Sequence, residues 1–289
     1  MDQLLLVVLS GIASGSVYGL MGLGLVIIYR ATDVVNFALA SMATMAIYVA
    51  FTLQRHGLGV VVGLIGAVVV AAVAGVVLRE TIIRPLGQGQ LFSALVVTMG
   101  ASLIIESVVD KVWGTQPQSF PALVQGTVRL GGSAIANQDL VMIAVAAVAM
   151  IAVGYLFNRT TLGSTMRAVA ESAGTAEIIG INSQRVARIA WALGLGLAAL
   201  AAVLYAPKSG LAPTILAAPL FRAFAGIFLG GLTSMYGAVL GGLVIGVLEN
   251  LAATYVSASF RDTFVFALTV AILLVRPQGM FGTRTFERV

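Results

Sequence analysis

Three carboxylates stand within or at the ends of long apolar runs: Glu106, Asp110 and Glu249. An ionisable group at membrane depth is costly, and it is by default a candidate for relaying a proton or holding a sodium ion. Glu106 and Asp110 are four residues apart, so a helix puts them on one face. Lys111 adjoins Asp110, and Trp113, an interfacial residue type, closes the segment. The pair reads either as the relay of an ion-coupled carrier or as two acids reaching water at a span end. Glu249, beside Asn250, lies near the end of its own apolar segment, where a long side chain can extend to the interface. Hydrolytic chemistry is served worse. There is no cysteine, the single His56 follows Arg55 in a short loop, and no GxxxxGK[ST] loop accompanies Lys111 or Lys208. No catalytic residue and no metal-ligand set emerges, and the chain has no nucleotide site of its own.

A second set of residues is polar or aromatic without strong charge: Tyr18, Asn36, Phe37, Ser41, Tyr48, Thr98, Ser102 and Tyr236. A path for a small polar solute needs hydrogen-bond partners that do not bind so tightly that release stalls. Taken singly, each of these residues reads as a helix–helix hydrogen bond. Taken together they make a lining.

The elements that must position these groups are membrane helices. Of 289 residues, 60% are hydrophobic and 9% charged, against about 25% charged in ordinary soluble domains. Uninterrupted apolar runs near the roughly 20 residues of a span recur along the chain. They predict an all-α polytopic membrane protein, a single transmembrane unit over 1–289, and not a β-barrel of alternating ten-residue segments. Candidate spans are 4–29, 34–53, 58–78, 92–112, 140–157, 189–206, 219–232, 236–253 and 262–275. Segments 219–232 and 262–275 are short enough to be broken or re-entrant, so the count is eight or nine. With the N-terminus outside, Arg30, Arg79, Arg84, Arg159, Arg167, Arg185, Arg188, Arg276, Arg284 and Arg288 all fall inside. The net charge of +5 thus follows the positive-inside rule and does not call for nucleic acid. No basic n-region precedes the first apolar run, which reads as a span and not as a cleaved signal. An extracytoplasmic loop, 114–138, carries Pro117, Pro121 and Gly131-Gly132 and a short candidate strand over 123–130.

Residues 158–188 form the longest polar interruption, with four arginines and two glutamates. Met166, Val169, Ala173, Ala176 and Ile179 recur at three- and four-residue spacing, which predicts a short amphipathic helix held outside the bilayer. Arg167 and Glu171 share a face as an i, i+4 pair. A weaker pattern links Ser16-Val-Tyr-Gly and Gly24-Leu-Val-Ile with Ser234-Met-Tyr-Gly and Gly242-Leu-Val-Ile. The two copies run in opposite directions, as in inverted-repeat transporters, although so glycine-rich a chain also matches itself by chance.

Tyr18–Tyr29 followed by Val35-Asn36-Phe37-Ala38 resembles the opening of the branched-chain amino-acid ABC importer permeases, the LivH-like family. Arg84-Pro85-Leu86, Thr161–Gly163, Met166-Arg167-Ala168, Gly180-Ile181-Asn182, Gly230-Gly231-Leu232, Tyr236-Gly237-Ala238 and Arg276-Pro277-Gln278-Gly279 continue it in order. The resemblance implies a multi-pass protein of the bacterial inner membrane, working by alternating access. Its implied partners are a second, LivM-like permease, two cytoplasmic ATPases that bind the ATP, and an external solute-binding protein. It implies that 158–188 is a cytoplasmic coupling loop in which Arg167, Ala168, Glu171, Gly180 and Ile181 meet the ATPase. One departure bears on the solute: members commonly follow Asn-Phe-Ala with His-Gly and an acid, where this chain has Leu39, Ala40 and Ser41. Branched-chain amino acids remain the default, with urea, short amides, other amino acids and small carboxylates open.

Overall fold

The computed structural model describes residues 2–87, 90–130, 133–276 and 278–282. Gly131, Gly132, Pro277, Arg284 and Arg288, singled out above, lie outside the described residues. The chain runs α1 (Asp2–Thr32), α2 (Leu39–Arg55), α3 (Val60–Leu78), α4 (Leu91–Trp113), β1 (Thr127–Leu130), β2 (Ser133–Ala136), α5 (Asn137–Arg159), α6 (Thr161–Glu171), α7 (Ala173–Ile178), α8 (Ser183–Ser209), α9 (Ala217–Gly230), α10 (Met235–Tyr255) and α11 (Arg261–Val275). Among the described residues, seven stretches are long and apolar enough to cross a membrane: α1, α3 with its continuation to Leu86, α4, α5, α8, α10, and 258–275. The last corrects the short segment expected at 262–275, because a 3-10 turn at Ala258–Phe260 extends it. Helix α9 keeps only 14 residues, as expected, and α2 has 17. The strand expected in the large loop is the antiparallel hairpin β1–β2, shifted toward the C-terminal side of that prediction.

Helix α3 shows how such a sequence folds in lipid. Gly63, Ala67, Ala71 and Gly75 are buried, and Val61, Ile65, Val69, Val73 and Val77 are exposed. Both sets recur every four residues, so small side chains face the protein and branched ones face outward.

Helix α1 is the hub, packed on α5, α8, α9 and α10. Its Gly11, Gly15 and Gly19 lie opposite Val247, Leu243 and Val239 of α10, so the two helices are antiparallel. Helix α10 has a second glycine face, Gly237 and Gly241, which meets Gly230 and Gly226 of α9. The sequence echo thus falls on two helices that run in opposite directions. Close packing of backbone on backbone accounts for the glycines they share.

A side chain on this seam has nowhere to go. A Cβ at Gly15 would lie 2.8 Å from the Leu243 Cα, backbone against backbone. Gly15→Leu is therefore expected to destabilise by at least about 1–3 kcal/mol, seen as a lower melting temperature in detergent. Gly100→Ala, where a Cβ meets nothing, is expected to melt at or above the unmodified protein.

Candidate functional site

The 158–188 segment is built by three side-chain caps. Thr160 Oγ1 accepts from Gly163 N (3.2 Å) and opens α6. Ser172 Oγ accepts from Thr175 N (3.2 Å) and opens α7. Asn182 Oδ1 accepts from Arg185 N (2.9 Å) and opens α8. The single amphipathic helix expected here is therefore two helices, broken where Ser172 leaves helical geometry to cap the second. Met166, Val169 and Ala176 form the buried face as predicted, and Ala173 is half-buried. Ile179 does not join it. Helix α7 has ended, and Gly180, at φ +87°, turns the chain away, leaving Ile178 86% and Ile179 70% exposed.

The predicted coupling residues divide accordingly. Arg167 donates to the carbonyl of Phe157, fastening α6 to the end of α5. Ala168 and Ile181 are half-buried and pack toward the body, while Glu171 and Gly180 are exposed. Arg167 and Glu171 form no ion pair, and Glu171 has none among the described residues. Near the start of α8, Arg188 approaches Glu80 (3.3 Å), which also holds Arg84 (2.8 Å), so α8 is latched to the end of α3.

The predicted lining separates into four groups. Asn36, Phe37, Ser41 and Thr98 gather around the break between α1 and α2, with Ser102 one turn further along α4. Asn36 is fully buried and accepts from Ala38 N at 3.0 Å, and Ser41 donates to Ala38 O at 3.0 Å. Thr98 bonds back to Leu95 O (3.0 Å) and lies 3.5 Å from Val35 O; Ser102, one turn on, donates to Met99 O at 2.9 Å. The Phe37 ring stacks on Phe224 of α9, centroids 5.2 Å apart. Tyr236 stands elsewhere, exposed, with its hydroxyl 2.5 Å from Asn158 Nδ2 at the α6 end of the molecule. Tyr48 is fully buried at the opposite end, its hydroxyl 3.5 Å from Leu211 O.

Tyr18 belongs to a site that the sequence reading missed. Arg222 on α9 places Nε 2.9 Å from Glu249 Oε1 on α10, and Nη2 2.6 Å from Asp262 Oδ1 at the start of α11. Arg261 Nε is 3.6 Å from the same Glu249 oxygen. The Arg222 guanidinium carbon lies 5.9 Å from the centre of the Tyr18 ring. Glu249 therefore does not extend to the interface; its side chain is only 4% exposed, held inside the helix cluster by Arg222. Glu106 and Asp110 are partly exposed and unpaired by any cation among the described residues. His56 is exposed in its turn.

Comparison with known proteins places this arrangement. The chain is 30% identical to the high-affinity branched-chain amino acid transport system permease protein LivH of Salmonella typhimurium, covering 97% of this chain and 96% of that one. It is 28% identical to the corresponding permease protein BraD of Pseudomonas aeruginosa, with the same coverage. The solved structure titled PsaBC from Streptococcus pneumoniae in complex with Fab aligns with a TM-score of 0.52 at 13% identity, over 94% of this chain and 91% of that one, a likeness of fold. The family model for the branched-chain amino acid transport system permease component matches residues 7–273. A multi-helix membrane body built on the α1–α10 seam, carrying a capped, outward-facing α6–α7 element, is thus that of a permease subunit, and the chain belongs to the branched-chain amino acid transport system permease family.

Proposed function

We propose that this chain is one of two membrane-spanning subunits of an ATP-driven importer for branched-chain or related amino acids. In this reading 158–188 faces the cytoplasm and two ATPase subunits bind and hydrolyse the ATP, the chain itself having no ATPase activity and no cofactor. The second permease is a related, LivM-like chain, and an extracytoplasmic binding protein delivers the solute at the face carrying 114–138. The observation that carries it is the α6–α7 element. Its inner face is anchored to α5 and the body through Arg167, Met166 and Val169, and its outer tip, Ile178 and Ile179, is bare. An element so built passes a push at the tip into the membrane helices. Glu249 is already held by Arg222 and so is not free to relay an ion.

Arg167 and Gly180 have separable duties here. Arg167→Ala releases α6 from α5, and Gly180→Ala places a side chain at a φ that costs about 1–2 kcal/mol. Both are expected to insert normally yet lower solute uptake per ATP hydrolysed about tenfold. Normal uptake in both variants would remove these residues from coupling. The wider reading is tested by purifying the tagged chain in mild detergent from its native membrane and identifying what accompanies it. An ATPase and a second permease are expected; a chain recovered alone that still moves leucine would overturn the importer reading.

A further inference from the structure

At the α6 end of the molecule, a cavity of about 250 Å³ opens between α1, α5, α6 and the start of α10. Its charged lining is Arg30, in the last turn of α1, and Arg167, on α6. Neither guanidinium forms an ion pair among the described residues. Among the described residues Arg167, which is exposed, meets the Phe157 carbonyl alone, and it repels the half-buried Arg30. Half-burying a guanidinium beside a second one without an acid is unfavourable unless an anion completes the site. Arginine's planar fork is matched to the two oxygens of a carboxylate.

The rest of the wall narrows the choice of anion. Asn158 commits its amide nitrogen to the Tyr236 hydroxyl, which leaves its side-chain carbonyl as an acceptor for an ammonium group. Leu23, Met150, Val153 and Val239 supply an apolar wall. The volume falls below the ~300 Å³ at the small end of drug-sized sites, so the occupant is a small solute. Two cations, neutral polar groups from Asn158, Ser234 and Tyr236, and an aliphatic wall together describe an aliphatic amino acid seated by its carboxylate.

We infer that this cavity is a second solute site, on the cytoplasmic half of the permease, where a small aliphatic amino acid binds with its carboxylate between Arg30 and Arg167. The site rests on the proposed amino-acid substrate and on the cytoplasmic placement of α6. Because its two arginines belong to a membrane helix and to the coupling element, a bound solute ties the two together. Solute accumulated inside the cell would then resist the movement of α6 that drives further import.

The test uses the complete importer in phosphatidylcholine nanodiscs, free of anionic lipid and of the binding protein. Isovalerate, leucine and isoamylamine are the probes, read by equilibrium dialysis with radiolabel. Isovalerate and leucine are expected to bind and to displace one another, and isoamylamine, which lacks the carboxylate, to bind at least about tenfold more weakly. Arg30→Gln is expected to raise the isovalerate dissociation constant about tenfold or more, and Arg30→Lys to recover part of it. Equal binding of isovalerate by Arg30→Gln, or none by the unmodified complex, overturns the site. So does native mass spectrometry showing phosphatidylglycerol retained through Arg30 where isovalerate does not bind, which reassigns the cavity to a lipid headgroup. If Arg30→Gln fails to assemble, the contrast between isovalerate and isoamylamine in the unmodified complex decides. Leucine uptake into proteoliposomes is scored separately. Arg30-dependent isovalerate binding without leucine uptake supports the site and removes only the substrate reading.

Discussion

Arg222→Leu is expected to cost about 3–5 kcal/mol and to leave little folded protein in the membrane, because it strands a buried carboxylate. Glu249 is 4% exposed, and Arg222 Nε is its nearest cation at 2.9 Å. Arg261, at 3.6 Å and 45% exposed, offers only a partial replacement. The reverse substitution is expected to be milder. In Glu249→Leu the guanidinium keeps Asp262 at 2.6 Å, and Asp262 is 83% exposed, so the remaining pair stays close to water. The double variant Arg222→Leu/Glu249→Leu is expected to recover most of the loss, since a buried ion pair can often be exchanged for packed apolar side chains at little net cost. Melting followed by size-exclusion chromatography in detergent ranks the four proteins. A double variant as unstable as Arg222→Leu, or equal losses in both single variants, would show that the pair does not stabilise α9 against α10 in this way.

Arg222 and Glu249 both stand in the sequence, but nothing local to either says that they meet. Arg222 sits inside a run otherwise apolar from Ala217 to Gly230, and Glu249 sits 27 positions later; read one at a time, each charge has a bland account at a span end. The glycines carry the missing link. Gly226 and Gly230 are four apart, as are Gly237 and Gly241, and the structure zips them together antiparallel, 226 on 241 and 230 on 237. Continuing that register outward brings residue 222 level with 245 and within a turn of 249. An arginine in an apolar helix must have a partner, and the small-residue pattern says where to look.

Other features were legible to different depths for equally physical reasons. Helix positions followed from apolar length, and the boundaries shifted by a few residues where capping side chains decided them, at Thr160, Ser172 and Asn182. The polar lining was least legible. Ser41, Thr98 and Ser102 each donate to a carbonyl of their own local backbone, the usual outlet for a hydroxyl on a helix. Residue type therefore does not say whether a hydroxyl faces a path, a neighbour or its own turn. Asn36 likewise turns to its local backbone, accepting from Ala38 N; an aromatic ring has no such outlet. Phe37 reaches across to Phe224.

The bare tip of α6–α7, proposed above to couple to the ATPase, gives the second large effect. Ile178→Asp/Ile179→Asp is expected to lower retention of the ATPase subunits at least about 100-fold, or about 2.8 kcal/mol. The two side chains are 86% and 70% exposed, and burying an isoleucine in a partner's groove contributes about 1.5–3 kcal/mol. An aspartate in its place would be buried without a counter-charge, which adds to the loss. The substitution should not disturb the chain itself, since Met166, Val169 and Ala176 hold the element from beneath and the outward turn is set by Gly180. Insertion and association with the second permease are thus expected to persist while the ATPase is lost. Ile178→Ala/Ile179→Ala should fall between the two, removing apolar area without adding charge. Co-purification of the three complexes at equal expression distinguishes the outcomes. An ATPase retained equally by all three would mean that the exposed isoleucines face something other than the motor, and the coupling surface would have to be sought along the Glu171 side of α6.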